Sequence, residues 1–333
     1  MSWRILHVGL GPLGRRIARE LHQRGLGEVG AAVDLDPALT GAPLPEVIDA
    51  GSPGVCVTDD LSATIADGRF DAAVVTTSSD LATCADTFRA LLGAGISTVS
   101  TCEELLFPTL RHAELSEELD TLARRHGAGL LGTGVNPGFL MDSLPAFATA
   151  VCRSVNSVEV IRVQDASTRR VPFQRKIGAA HDDAAFEARR AEGSLRHVGL
   201  GESLFFLADA VGIEIEDWEE TLEPVRAPGP ISCEVGEIAE GGISGVRQVA
   251  TGKGADGRTV RLEFVAAVGQ ADPHDTARIK GEPDLELTFP SGVHGDDATC
   301  AITLNAIDSL KRAGPGLHTM SSIPLVRCVG PRS

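Results

Sequence analysis

The chain contains no tyrosine among its 333 residues, so every mechanism built on a phenolic proton donor is excluded at the outset. Positive charge is also short. Thirty Lys and Arg stand against 46 Asp and Glu, a formal net charge of −16, which argues against a nucleic-acid or anionic-membrane surface. No apolar run is long enough to span a bilayer. The first residues read as a strand rather than a charged segment followed by an apolar one, so no signal peptide is expected. The seven cysteines are odd in number, scattered, and include no C-x-x-C pair. Free thiols in a reducing cytoplasm are the simplest account. No paired His, Cys or carboxylate spacing suggests a metal site, so none is expected. Internal repeats, low-complexity tracts and flexible linkers are missing as well.

What the chain does have is Ile5–Gly14, ILHVGLGPLG, an apolar strand running into a glycine-spaced turn. Leu13, Ile17 and Leu21 then fall on one helical face. This strand–turn–helix context is what gives a G-x-G-x-x-G match its meaning. Gly9 permits the turn, Gly11 lets backbone approach a pyrophosphate, and Gly14 lets the helix pack on the strand. Pro12 suits the first helical position. A second apolar run, Val29–Val33, ends in Asp34, twenty residues beyond Gly14, where a carboxylate would meet the adenosine ribose hydroxyls. The pattern predicts a dinucleotide, with NAD preferred. Arg15 and Arg16 at the helix start offer charge to a 2′-phosphate, so NADP is expected to be tolerated.

Strand and helix signals alternate through the first part of the chain, which implies a parallel sheet with right-handed crossovers. Ligands bind such sheets beyond the carboxyl ends of the strands. Thr76, Thr77 and Ser78, the Thr101–Glu104 segment, and the Thr133–Gly138 segment all sit just past strands. From about Asn156 the texture changes. A long strand over Val158–Val163, a loop rich in Arg and Gln, two helices and later alternating segments read as a mostly antiparallel sheet with helices on one face. Asp297–Arg312 is a strong helix. The fold class is α/β, a Rossmann-type parallel-sheet domain plus an α+β substrate domain with a largely antiparallel open sheet. The expected boundaries are 1–137 for the dinucleotide-binding domain, with 296–333 returning to it, and 138–295 for a substrate-binding and dimerisation domain.

Thr101-Cys102-Glu103-Glu104 lies where a nicotinamide ring would face a substrate. Glutamates open many helices for electrostatic reasons alone. In a cleft, though, a partly desolvated carboxylate can hold a protonated amine and exchange its proton. Successive side chains diverge, so one of the two glutamates should face the cleft, and the sequence alone leaves the choice open. Asn136, between Gly134 and Gly138, has an amide suited to a nicotinamide carboxamide, although Asn-Pro-Gly also makes an ordinary turn. Phe139, Met141, Phe173 and Phe206 are candidates for an apolar pocket wall, with Phe206 better explained as core. His181, His197 and His294 are candidates to approach substrate or to serve as structural hydrogen-bonders. Arg169, Arg170, Arg175 and Lys176 crowd one segment, to grip a substrate carboxylate or to form a solvated loop. The solvated reading is preferred because the other pocket candidates are apolar.

Seven ordered segments, VDLDP, STCEELLFP, GTGVNPGFLMDSLP, QRKIGAA, HVGLGES, HGDDAT and PGLHTMSSIP, together resemble one family over nearly the whole chain. It is the dihydrodipicolinate-reductase-like group that contains 2,4-diaminopentanoate dehydrogenases and native amine dehydrogenases. The resemblance implies an NAD(P)-binding N-terminal domain, a second domain closing an apolar amine pocket, a returning C-terminal helix, and usually a homodimer. It implies oxidoreductase activity on primary amines: reversible oxidative deamination, or reductive amination of a small ketone or aldehyde with ammonia. It places the amine-contacting role on Glu103 or Glu104, with Glu104 preferred because related two-domain dehydrogenases hold a cleft-facing lysine after a glutamate there. Gly9, Gly11, Pro12, Leu13, Gly14, Asp34, Thr76, Thr77, Ser78, Cys102 and Asn136 would then line the cofactor, and Phe139, Met141, Phe173 and His197 the substrate. Two alternatives are a dehydrogenase acting on the amino acid 2,4-diaminopentanoate and a non-catalytic NAD(P) sensor, which would have no need of a cleft carboxylate. Dihydrodipicolinate reductase itself is disfavoured because its His-His segment and following lysine are missing. A sugar-type oxidoreductase is disfavoured because Glu104 stands in place of its lysine.

Overall fold

The computed structural model describes residues 2–51, 53–169 and 171–331. The chain divides into two compact units, Met1–Phe139 with His294–Ser333, and Leu140–Val293. The first unit alternates β1 (Trp3–Val8), α1 (Pro12–Gln23), β2 (Gly27–Val33), α2 (Leu44–Ile48), β3 (Val57–Thr58), α3 (Leu61–Asp67), β4 (Ala72–Val75), α4 (Leu81–Gly93), β5 (Thr98–Ser100), α5 (Ala113–His126) and β6 (Gly129–Gly132). The second unit holds α6 (Ser143–Ala148), β7 (Ser154–Asp165), α7 (Val171–Lys176), α8 (Asp183–Ala191), α9 (Leu200–Ala210) and β8 (Ile215–Arg226). It continues with β9 (Ile231–Cys233), β10 (Gly236–Ile238), β11 (Ile243–Gly254), β12 (Thr259–Ala267), β13 (His274–Glu282) and β14 (Leu285–Pro290). The chain then returns to the first unit as α10 (Gly295–Ala313) and β15 (Gly316–His318). Among the described residues no helix is long and apolar enough to cross a membrane.

The first unit is built on a seven-stranded sheet, order β15-β6-β5-β4-β1-β2-β3, in which every pair is parallel. Successive strand residues point to opposite faces, and both faces are covered. Ile5, Val29, Val74, Val99 and Leu131 meet Ile17 and Leu21 of α1 and Leu304 and Ile307 of α10. Leu6, Val8, Ala73 and Val75 meet Phe88 and Leu91 of α4 and Leu119 of α5. α10 carries Asp296 and Asp297 in its first turn and Lys311 and Arg312 in its last, each sign at the dipole end that favours it.

The second unit has a six-stranded sheet, order β14-β13-β7-β12-β11-β8, with β7 and β12 parallel and the other pairs antiparallel. Val158, Val160, Val246, Ala250, Val260, Leu262 and Phe264 turn one face toward Leu204 and Leu207 of α9. The opposite face carries an unbroken alternation of charge across all six strands. Glu223, Arg247, Glu263, Arg261, Glu159, Arg278 and Glu286 are linked in that order by contacts of 3.3, 2.6, 2.6, 3.0, 3.1 and 3.1 Å. Cross-strand opposite-charge pairs of this kind fix register more than they add stability. On the helix-covered face, Arg162 and Asp275 form a buried ion pair at 3.0 Å, exposed by 1% and 5%.

Some elements differ from the expectation. The supposed polar loop after β7 contains α7. β8 and β13, a dozen and nine residues long, were hidden by charge: Glu216, Glu219, Glu220 and Glu223 in one, Arg278 and Lys280 in the other. These strands present charges to the ladder, so their sequences lack the apolar alternation that marks a half-buried strand.

Candidate functional site

In the first unit the glycine turn follows β1 directly. Gly9 adopts φ +96°, which a side chain would strain. A Cβ on Gly14 would lie 2.1 Å from the Gly9 carbonyl oxygen and 2.5 Å from Thr76 Oγ1, so helix and strand can approach this closely only without one. Gly11 is different. Its φ of −62° and ψ of 178° suit any residue, and an added Cβ would meet nothing within 4 Å. It caps α1, which opens on Pro12, without any side-chain hydrogen bond. The free first-turn N–H groups and the positive dipole end thus face an open approach to bare backbone.

The turn is braced from three sides. Thr76 Oγ1 donates to the Gly9 carbonyl at 2.7 Å. The Asp34 carboxylate accepts from Leu10 N–H at 2.5 Å and from Asp36 N–H at 2.9 Å, which fixes the acid at the end of β2. His7 is 1% exposed beneath the turn, and burial pushes its imidazole down to about 4, so it is neutral near physiological pH. Leu13 is half-buried and packs on the α1 face of the core. Arg16 is not free for a phosphate: it pairs with Asp296 and Asp297 of α10. Arg15 Nε donates to the Leu10 carbonyl at 2.7 Å.

Beyond β4, Thr77 is exposed, with Oγ1 3.5 Å from Cys84 Sγ, and Ser78 Oγ accepts from Asp80 N–H at 3.2 Å. The Cys102 thiol turns into the core, bonding to the Ser79 carbonyl at 3.3 Å and to the Cys84 thiol. That mutual hydrogen bond lowers Cys84 and, with burial, raises Cys102. All seven cysteines are free.

Glu103–Leu106 forms a 3-10 turn after β5 and sets the two glutamates apart. Glu103 is half-buried, whereas Glu104 is 7% exposed. The Glu104 backbone N–H donates to Ser79 O at 3.3 Å. Its Oε2 accepts from the Leu81 N–H that opens α4, at 2.9 Å, and lies 2.8 Å from His112 Nε2. Oε1 has no hydrogen-bond partner among the described residues. One oxygen is anchored by two donors and the other is not.

Past β6, Asn136 precedes a cis peptide bond to Pro137. Both polar atoms of its amide are buried with no partner among the described residues, as is Thr133 Oγ1. Gly138 at φ +129° packs on Gly134, where a Cβ would meet the Gly134 nitrogen at 2.3 Å. An orphaned buried amide and an open glycine cradle fit a nicotinamide dinucleotide: each leaves unfilled what such a group would fill. Phe139, half-buried, closes this segment.

In the second unit, Phe173 and His197 line one cavity of about 10 Å3 with Ile177, Leu195, Val246 and Phe264. That space holds no more than a water. His197 stacks on Phe264 at 4.6 Å, and its N–H donates to Gln248 Oε1 at 2.7 Å. Met141 and Phe206 are buried. His181 lies 3.4 Å from Arg189 Nη1, and His294 caps α10 by accepting from Asp297 N–H. Arg169 corrects the solvated-loop expectation. It is 8% exposed with its guanidinium 4.2 Å from the Phe173 ring centroid, where stacking replaces hydration. Arg175 is exposed, Lys176 is half-buried, and Arg170 lies outside the described residues.

The sequence profile of the 2,4-diaminopentanoate dehydrogenase C-terminal domain matches residues 139–331. The chain belongs to this family. It is 29% identical to 2,4-diaminopentanoate dehydrogenase from Acetoanaerobium sticklandii over 253 residues, 73% of this chain and 71% of that protein. Over 351 aligned positions it is 25% identical to an amine dehydrogenase from Streptomyces virginiae, covering 97% and 96%. The solved structure of amine dehydrogenase from Mycobacterium smegmatis superposes with a TM-score of 0.87 at 23% identity, over 100% and 99% of the two chains. Scyllo-inositol dehydrogenase from Lactobacillus casei, with bound NAD(H) and scyllo-inositol, gives a TM-score of 0.56 at 14% identity over 94% and 88%. Both structures share the two-part fold. His112, Leu81 and Cys84 escaped sequence reasoning, because nothing in the sequence signals a partner for a residue 8 or 23 positions away.

Proposed function

We propose that this chain is an NAD(P)-dependent amine dehydrogenase, converting a small amine to the carbonyl compound and ammonia and running in reverse as a reductive amination. The observation that carries the reading is Glu104, a carboxylate just past β5 with one oxygen fixed by two donors and the other without a hydrogen bond among the described residues. The names of its relatives support it. A sensor would have no use for such a group, which argues against the non-catalytic alternative.

A bound nicotinamide ring supplies or accepts the hydride at the substrate carbon. The first unit would hold that cofactor, with Gly11 admitting the pyrophosphate, Gly9 and Gly14 letting the turn and helix close up beneath it, and Asn136 satisfying the carboxamide. Thr76 and Cys102 brace the strand ends from inside, and Thr77, exposed, and Ser78, half-buried, would meet the cofactor. Glu104 Oε1 would hold the substrate nitrogen. In the oxidative direction it takes the ammonium proton, freeing the nitrogen lone pair that drives the hydride out. Once it has released that proton to solvent, the carboxylate stabilises the iminium cation, a carbon–nitrogen double bond with two protons on nitrogen, until water adds and ammonia leaves. In reverse, the same oxygen stabilises the iminium formed from ketone and ammonia. Phe139, half-buried at the end of the first unit, would help keep water from that cation.

NAD is the preferred cofactor in this reading. Asp34 stands just past β2, Arg16 is paired with Asp296 and Asp297 of α10, and Arg15 Nε is engaged by the Leu10 carbonyl. A homodimer formed through the second unit is part of the proposal, and the charge-alternating open sheet face is a self-complementary surface for it. Sedimentation of the purified chain tests that part. The buried Arg169 favours a second reading, in which the substrate carries a carboxylate and resembles 2,4-diaminopentanoate. A panel of ketones and aldehydes with ammonia, followed by loss of NADH absorbance, tests the main reading. Turnover of the amino acid with none of simple amines would favour the second.

A further inference from the structure

The proposed reading assigns Glu104 a task but leaves open what points its carboxylate. A glutamate has three rotatable side-chain bonds, and an unrestrained one would spend binding energy on being held. Here Oε2 is claimed by two donors from different parts of the first unit, the Leu81 N–H at 2.9 Å and His112 Nε2 at 2.8 Å. A carboxylate only accepts, so the imidazole must carry its proton on Nε2. His112 is itself fixed. Its N–H donates to Pro108 O at 2.9 Å, and its carbonyl receives Ser116 N–H at 2.8 Å and Ser116 Oγ at 2.7 Å. Asp80 also feels this ring: its carboxyl lies below the ordinary range, first through its hydrogen bonds from Thr83 and then through His112. Asp80, the N-cap of α4, and Glu104, which accepts from the first N–H of α4, thus both act on the imidazole.

We propose that His112 is the positioning residue for Glu104, donating from Nε2 to Oε2 so that Oε1 alone is presented to the substrate nitrogen. This rests on the amine-dehydrogenase reading of Glu104. His112 touches neither substrate nor cofactor in it and acts through the carboxylate.

The test compares H112L, H112Q and E104Q with the double variant E104Q/H112L, at saturating NADH, ketone and ammonia. H112L should lower kcat about tenfold or more, as small misplacements of a reacting group do, with the KM for NADH unchanged. H112Q, which can still offer an N–H to Oε2, should recover kcat to within about threefold. In the E104Q background H112L should take away nothing further, because coupled residues are non-additive. If H112L does not fold, H112N withdraws the donor from reach while staying polar, and it should reproduce the kcat loss. Additive loss in the double variant, or a normal kcat in H112L with E104Q inactive, overturns the role of His112. An E104Q variant as active as wild type overturns the underlying reading instead, so the two failures are distinguishable.

Discussion

Gly11→Ala and Gly14→Ala separate ligand space from packing space within one turn. At Gly14 the new Cβ would sit 2.1 Å from a backbone oxygen, which cannot swing aside, so α1 or β1 must move. Overpacking of this kind is destabilising by about 1–3 kcal/mol or more. At about 2–4 °C per kcal/mol for a unit of this size, the melting temperature should drop by roughly 2–12 °C. At Gly11 the methyl meets nothing within 4 Å, and the backbone is already in a region open to all residues. Alanine there should not lower the melting temperature and should raise it by no more than about 4 °C, since the loss of unfolded-state entropy is itself worth only about 0.4–1 kcal/mol. The methyl occupies the place where a pyrophosphate would pass, so NADH should bind at least about tenfold more weakly, about 1.4 kcal/mol. Differential scanning calorimetry and NADH fluorescence titration on both variants read the two effects separately. A Gly11→Ala protein that binds NADH like wild type would refute the argument that this glycine exists for close ligand approach.

Burial of His7 predicts an acid-side loss of stability. The folded state holds the group near 4 against 6.5 in the unfolded chain, so the unfolded state binds the extra proton between those values and stability falls as pH drops through that window. Urea unfolding at pH 7 and pH 5 should show about 2 kcal/mol from this residue, a difference that disappears in His7→Leu. Asp275→Leu leaves Arg162 charged and buried without its partner, and denaturation should report a loss of about 3–5 kcal/mol. Steady-state kinetics should favour NADH over NADPH, and a strong NADPH preference would show the Asp34 argument to be wrong.

The parallel sheet was legible because it is covered on both faces. Ala72–Val75 and its neighbours therefore appear as plain apolar runs between helical periods. The open sheet was half legible. β8 and β13 spend their outward positions on the charge ladder, and only the register with β11 and β7 shows that Glu223 and Arg278 belong to strands. At the site, the glycine turn and Asp34 could be read because their spacing is local. The difference between Glu103 and Glu104 could not. It is set by a 3-10 turn and by contacts with Leu81 and His112, which depend on how α4 and α5 pack. Arg169 was misjudged for the same reason, since the Phe173 ring that covers it comes from a helix that a run of Arg and Gln does not announce.

The central claim is that Glu104 handles the substrate nitrogen and its proton. Turnover of a ketone with ammonia at saturating NADH, measured for wild type, Glu104→Gln and Glu103→Gln, tests it directly. Glutamine preserves shape and removes both the charge and the base, and general acid–base catalysis contributes about 100- to 10,000-fold. Glu104→Gln should therefore lower kcat at least about 100-fold with NADH binding intact, while Glu103→Gln stays within about tenfold of wild type. A Glu104→Gln enzyme that keeps more than a tenth of wild-type turnover would contradict the account.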